Sequence, residues 1–115
     1  MCTRSELEII TTQLVKEYRS LYGTALKEVI LYGSYARGDF DEESDIDIVA
    51  IVDQPRTELK KSYRKLGEVG SSFSLNYGLT ISPSVIPFSD YTRYQNVLPY
   101  YRNISTEGIL LMTTH

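Results

Sequence analysis

The spacing of apolar side chains divides the chain into segments of two kinds. From Ser5 to Tyr22 they recur at helical intervals, through Ile9, Ile10, Leu14, Tyr18, Leu21 and Tyr22, and Gly23 supplies a stop. The pattern then tightens. Glu28 to Tyr32 is short, apolar and β-branched, which predicts a buried strand, and Ser44 to Val52 predicts a second. Gln54 and Pro55 break the chain, and Pro55 suits the first turn of a helix from Arg56 to Phe73. That helix points Leu59, Tyr63, Leu66, Val69 and Phe73 inward, and is weakened by Gly67 and Gly70. Asn76 to Ile86 reads as a further strand, with Pro83 placing it at an edge or a bulge. Ser89 and Asp90 cap a final helical region. Pro99 divides it, since a proline inside a helix costs ~3 kcal/mol, and Gly108 ends the second piece. The class is α/β (α+β), a small mixed β-sheet flanked by helices.

Composition narrows the setting. At 115 residues the chain has room for one core, so a single domain over 1–115 is expected. Hydrophobic residues at 42% and charged residues at 23% are ordinary for a soluble globular protein. No apolar run approaches the ~20 residues of a membrane span. Glu6 and Glu8 interrupt the first segment, which argues against a signal peptide. The single cysteine, Cys2, has no intrachain partner, so a cytoplasmic location is expected. The net charge of −3 disfavours a long nucleic acid as partner. Lys60, Lys61, Arg64 and Lys65 form the dense basic cluster, and a solvated helix face explains them.

The candidate chemistry lies between the first two strands. Gly33 ends the first strand, and its missing Cβ lets backbone approach a bulky anion. Ser34 is a good N-cap for a short helical turn over Tyr35, Ala36 and Arg37, which Gly38 stops. Unpaired N–H groups at such a turn suit phosphate. Asp39 to Glu43 make a solvated connection to the second strand. Residues two apart in a strand share a face, so Asp45 and Asp47 are expected to project together while Ile46 and Ile48 enter the core. Their mutual repulsion calls for a cation, and Mg²⁺ takes one or two carboxylates plus substrate phosphates. Two ions ~3.5–4 Å apart would clamp the attacking and leaving oxygens of an in-line displacement.

This segment resembles the signature of the polymerase-β-like nucleotidyltransferase superfamily, in its minimal nucleotidyltransferase form. The matching residues are Gly33-Ser34, Ala36-Arg37-Gly38 and Ser44-Asp45-Ile46-Asp47. The succession of helix, strand, short helix, strand, helix and strand extends the likeness over most of the chain. The resemblance implies that fold, with Asp45 and Asp47 as catalytic, metal-binding residues and Gly33 and Ser34 as nucleotide-binding residues. It implies Mg²⁺ as cofactor and ATP as substrate. Minimal members are commonly antitoxins of α-helical HEPN-domain ribonuclease toxins. The implied act is transfer of AMP to a tyrosine hydroxyl of the toxin, with pyrophosphate leaving, or masking of the toxin by contact.

One expected part is missing. Relatives active in nucleotidyl transfer usually carry a third carboxylate on the strand after the third helix, whereas Tyr77 to Ser84 holds no acid here. Alternation puts the hydroxyls of Thr80, Ser82 and Ser84 on its polar face, and a hydroxyl is a weak metal ligand and base. Asp53 shares the parity of Asp45 and Asp47 but stands ~20 Å beyond Asp47 along the strand. Glu28, Asp39 and Asp41 are left as alternatives. Two further readings follow: a degenerate module that acts by protein contact, and a transferase for a small acceptor of the aminoglycoside type. Arg37 fits a loop-fixing ion pair as well as a substrate contact. The ten tyrosines read mainly as core-edge residues, with Tyr100 and Tyr101 beside Arg102 as an alternative partner surface. His115 is given no role, and the oligomeric state is left open.

Overall fold

The computed structural model describes residues 4–38 and 45–113, with Ser34 and Arg37 described by their backbone alone. Helix α1 (Arg4–Tyr22) buries Ile10, Leu14, Tyr18 and Tyr22, four residues apart and hence one stripe of the helix. Gly23, at φ +55, turns the chain out of it. Strand β1 (Leu26–Tyr32) follows, then the one-turn helix α2 (Ser34–Arg37) and strand β2 (Ile46–Val52). A crossover starts with α3 (Arg56–Leu59), passes through a 3₁₀ turn at Lys60–Ser62 and continues as α4 (Tyr63–Tyr77). Strand β3 (Ile81–Pro87), helices α5 (Phe88–Tyr94) and α6 (Pro99–Glu107), and strand β4 (Ile109–Thr113) complete the order.

The four-stranded sheet runs β3-β2-β1-β4. β1 pairs antiparallel with both β2 and β4, and β2 pairs parallel with β3. A parallel pair needs a crossover, which the α3–α4 segment provides. One sheet face, with Ile46, Ile48, Ala50 and Val52, packs against Ile10, Leu14 and Tyr18 of α1 and Leu66 and Val69 of α4. The other, with Ile30, Val49, Ile51 and Ile86, packs against Tyr91 of α5 and Ile104 of α6. Asp47 shares the parity of Val49 and Ile51, so it belongs to this second face.

Several expectations shift in detail. Ile9 is 50% exposed and Tyr63 43% exposed, because the stripes of α1 and α4 turn away from both. The helix weakened by Gly67 and Gly70 continues past Phe73 to Tyr77. A Cβ at Gly70 would lie 2.7 Å from Pro83 Cδ and 3.1 Å from the Ile81 carbonyl, so the missing side chain lets α4 lie close on β3. Gly78, at φ +66, ends the helix, and the strand begins at Ile81 rather than Asn76. Pro83 does lie on an edge strand, and the basic residues 60, 61, 64 and 65 are exposed. β4 was outside expectation. Its apolar run has no helical or alternating period, and only the free side of β1 makes it a strand. Cys2, Asp39 to Ser44 and His115 lie outside the described residues.

The Tyr18 hydroxyl ties α1 to the β2–β3 seam. It accepts the Ser84 N–H at 3.2 Å, and the Ile48 and Ser84 carbonyls lie 3.1 and 2.9 Å away as acceptors for its proton. Burial pushes this phenol far above the usual tyrosine range. Tyr18→Phe would keep the packing but leave buried peptide groups short of a partner, at a cost of about 1–3 kcal/mol. Urea unfolding should show that loss as a lower midpoint with an unchanged slope.

Candidate active site

The end of β1 and the start of β2 form the site. Tyr32 is the cross-strand partner of Asp47, so the turn that leaves β1 at Gly33 passes directly over that aspartate. Gly33 has φ +82, a conformation that suits glycine. A Cβ built there would stand 2.6 Å from Asp47 Oδ2. The carboxylate thus occupies the space that any other residue at 33 would fill. The Ala36 N–H donates to the Gly33 carbonyl at 3.1 Å, which starts α2, and Gly38 at φ +81 closes it. α2 begins at Ser34 itself, so Gly33 and not Ser34 stands at the cap position.

β2 begins at Ile46, one residue later than the acid pair requires for both members to lie in the strand. Asp45 immediately precedes it and is exposed, while Asp47 lies within it and is half-buried. Burial raises the Asp47 pKa above the ordinary aspartate value, and the nearby Asp45 charge raises it further. The two carboxylates are therefore electrostatically coupled at one end of the sheet. This is the situation that a cation relieves. No group of three or more potential metal ligands occurs among the described residues. The donor set is two carboxylates, which fits an ion that keeps several waters and takes further oxygens from substrate phosphates, as Mg²⁺ does.

The raised pKa has a consequence that can be measured. A proton on Asp47 favours the folded state, so this contribution is complete below the unfolded carboxylate pKa and is lost as pH rises through the higher folded value. Asp47→Asn removes that loss. Without Mg²⁺, its stability should fall less than that of the unsubstituted protein across this acid window. Adding Mg²⁺ at neutral pH should raise the melting temperature of the unsubstituted protein and leave that of Asp47→Asn nearly unchanged.

The register settles which candidates for a third carboxylate come near. Ser82 is the β3 partner of Asp47, so the neighbouring position carries a hydroxyl. Asp53 follows the far end of β2, where its N–H donates to the Ala25 carbonyl at 2.7 Å. Glu28 pairs with Ile51 at that same far end, ~13 Å along β1 from Tyr32. Neither reaches the pair. Asp39 and Asp41 lie outside the described residues.

Tyrosines, which sequence reasoning placed mainly at the core edge, complete the surroundings. Tyr100, at the start of α6, is 48% exposed and meets Tyr32 edge-on, with ring centroids 5.9 Å apart and planes at 84°. Its hydroxyl lies near Ser84, and both burial and the Asp47 charge raise its pKa. Tyr101 points into the second face and packs beside Tyr91. The dipeptide thus splits between a site-facing and a core-facing ring. No local pattern could have announced this, because α6 meets β2 only in the folded sheet.

The fold has counterparts. A family model described as "Nucleotidyltransferase domain" matches residues 12–108. A Methanocaldococcus jannaschii protein named as a protein adenylyltransferase is 42% identical over 83 residues, 69% of this chain and 80% of the relative. A second protein of that organism and name is 32% identical over 99 residues, 86% of this chain and 91% of the relative. The protein adenylyltransferase MntA of Thermococcus cleftensis is 38% identical over 60 residues, 52% of this chain and 59% of the relative. A crystal structure of the toxin–antitoxin MntA–HpeT aligns over 90% of this chain and 73% of that chain with a TM-score of 0.59. Its sequence identity is 13%, so that likeness speaks for the fold. Family match and sequence relatives agree: the chain belongs to the nucleotidyltransferase domain family, and transfer of a nucleotidyl group is its class of chemistry.

Proposed function

We propose that residues 1–115 form one minimal nucleotidyltransferase domain that moves AMP from ATP to a hydroxyl of a partner protein. The proposed setting is the cytoplasm, and the proposed partner is a HEPN-type toxin for which this chain is the antitoxin. The observation that carries the reading is the Gly33 turn lying against the Asp47 carboxylate, with Asp45 coupled to it. The name shared by the sequence relatives supports adenylyl transfer to protein, and the toxin–antitoxin structure supports the kind of partner.

Asp45 and Asp47 would hold Mg²⁺. When bound, the ion supplies neutralisation of the triphosphate charge. Gly33 lets the turn lie against the Asp47 carboxylate, and the backbone of that turn, with Ser34 first in α2, would bind the phosphate end. The acceptor oxygen attacks the α-phosphorus and pyrophosphate leaves. Such a transfer depends chiefly on alignment and charge stabilisation, so few side chains suffice. The partner would deliver the acceptor hydroxyl.

Incubation with labelled ATP, Mg²⁺ and the product of an adjacent HEPN-type gene tests the reading. Label on the partner that requires both aspartates supports it. A tight complex that carries no label and ignores both substitutions favours the rival reading, a module that acts by contact. The hydroxyl of Ser82 opposite Asp47 is the observation on that rival's side. Ser82→Asp restores a carboxylate at that register position and should increase the transfer rate and tighten Mg²⁺ dependence. An unchanged rate would separate the position from the chemistry.

A further inference from the structure

Tyr100 is positioned by three contacts. Its hydroxyl lies near Ser84 of β3, its ring meets the edge of Tyr32 at the end of β1, and Tyr101 flanks it at 5.9 Å with planes at 47°. The residue therefore bridges from β3 to β1 across β2, on the face that carries Asp47. Yet 48% of its surface is open. Core packing accounts for Tyr91, 6% exposed on the same face, but not for the open surface of Tyr100.

The proposed direction of the substrate gives that surface a use. The phosphate end is assigned to Gly33 and α2, on the β1 side of the aspartates. An α-phosphate at Asp45 and Asp47 leaves the nucleoside to continue over β2 towards β3, where Tyr100 lies. We infer that Tyr100 is the nucleoside-stacking surface of this site, fixed in orientation by Tyr32 and Tyr101 so that a purine-sized ring can lie on it. This rests on the proposed function and deepens it, by assigning a residue to the base and not to the phosphates. Stacking needs only a π-face, so Tyr100 contributes affinity for a nucleoside without selecting among bases. Because the ring is already held, little side-chain freedom is lost on binding.

Calorimetry with Mg²⁺ and either ATP or inorganic tripolyphosphate tests this on the whole chain. Tyr100→Leu keeps an apolar side chain and should weaken ATP binding about tenfold or more, with tripolyphosphate affinity unchanged. Tyr100→Phe should bind ATP within a few-fold of the unsubstituted protein. Equal losses for ATP and tripolyphosphate in Tyr100→Leu would make the residue structural and overturn the inference. Undiminished ATP affinity in Tyr100→Leu also overturns it, while leaving the phosphate and metal assignments standing. If the unsubstituted protein binds neither ligand, the proposed function fails and the inference with it.

Discussion

Asp47→Asn should lower nucleotidyl transfer by about a hundredfold or more while the protein stays folded. The scale follows from what one preorganised electrostatic contact to a developing charge is worth, ~2.7–4 kcal/mol. Asparagine keeps the shape that fills the space beside Gly33, 2.6 Å from the position of a Cβ there, but removes the charge that would hold Mg²⁺. It also ends the repulsion with Asp45 and the cost of burying an ionised group, both of which raise the Asp47 pKa. Transfer and stability should therefore move separately. Activity collapses, and the melting temperature without Mg²⁺ holds or rises. Single-turnover transfer of labelled AMP beside a thermal melt reads both quantities. The Asp45→Asn, Asp47→Asn double variant should be little worse than either single, since in the proposed mechanism both carboxylates hold the same ion. A double variant that retains transfer would remove the proposed mechanism.

Gly33→Ala should damage both quantities at once. A left-handed backbone costs a residue with a Cβ roughly 1–2 kcal/mol, and Gly33 stands at φ +82. The new methyl group would also overlap Asp47 Oδ2, so the carboxylate must leave its place. Gly78→Ala is the matched control. Gly78 is left-handed too, at φ +66, but a Cβ there meets nothing within 4 Å. Both variants should melt lower, and only Gly33→Ala should lose most of its transfer rate. Comparable rates in the two would mean that contact with Asp47 has no bearing on the chemistry.

The candidate site was partly legible because its parts are neighbours along the chain. Gly33 directly follows the first strand, Asp47 lies in the second, and antiparallel pairing brings Tyr32 opposite Asp47. A glycine between an apolar strand and a one-turn helix announces a special backbone angle, and the structure has it. Asp45 was legible as a partner of Asp47 in charge, though not as a residue outside the strand. Ser82 was legible as a missing acid. Its place opposite Asp47 was not, because parallel register is set across the α3–α4 crossover. Tyr100 was legible only as a core-edge or partner-surface residue.

Local order and period thus determined the helices, three of the strands and the pairing of a glycine turn with two aspartates, because each follows from a few consecutive residues. Tertiary packing decided the rest. It recruited Ile109–Thr113 as a strand on the open side of β1, drew the Tyr18 hydroxyl to the β2–β3 seam and brought Tyr100 to the face of Asp47. The physical reason is common to all three. Each joins groups remote in sequence, and satisfying the peptide groups of a sheet and covering its two apolar faces are properties of the assembled sheet, which no single segment contains.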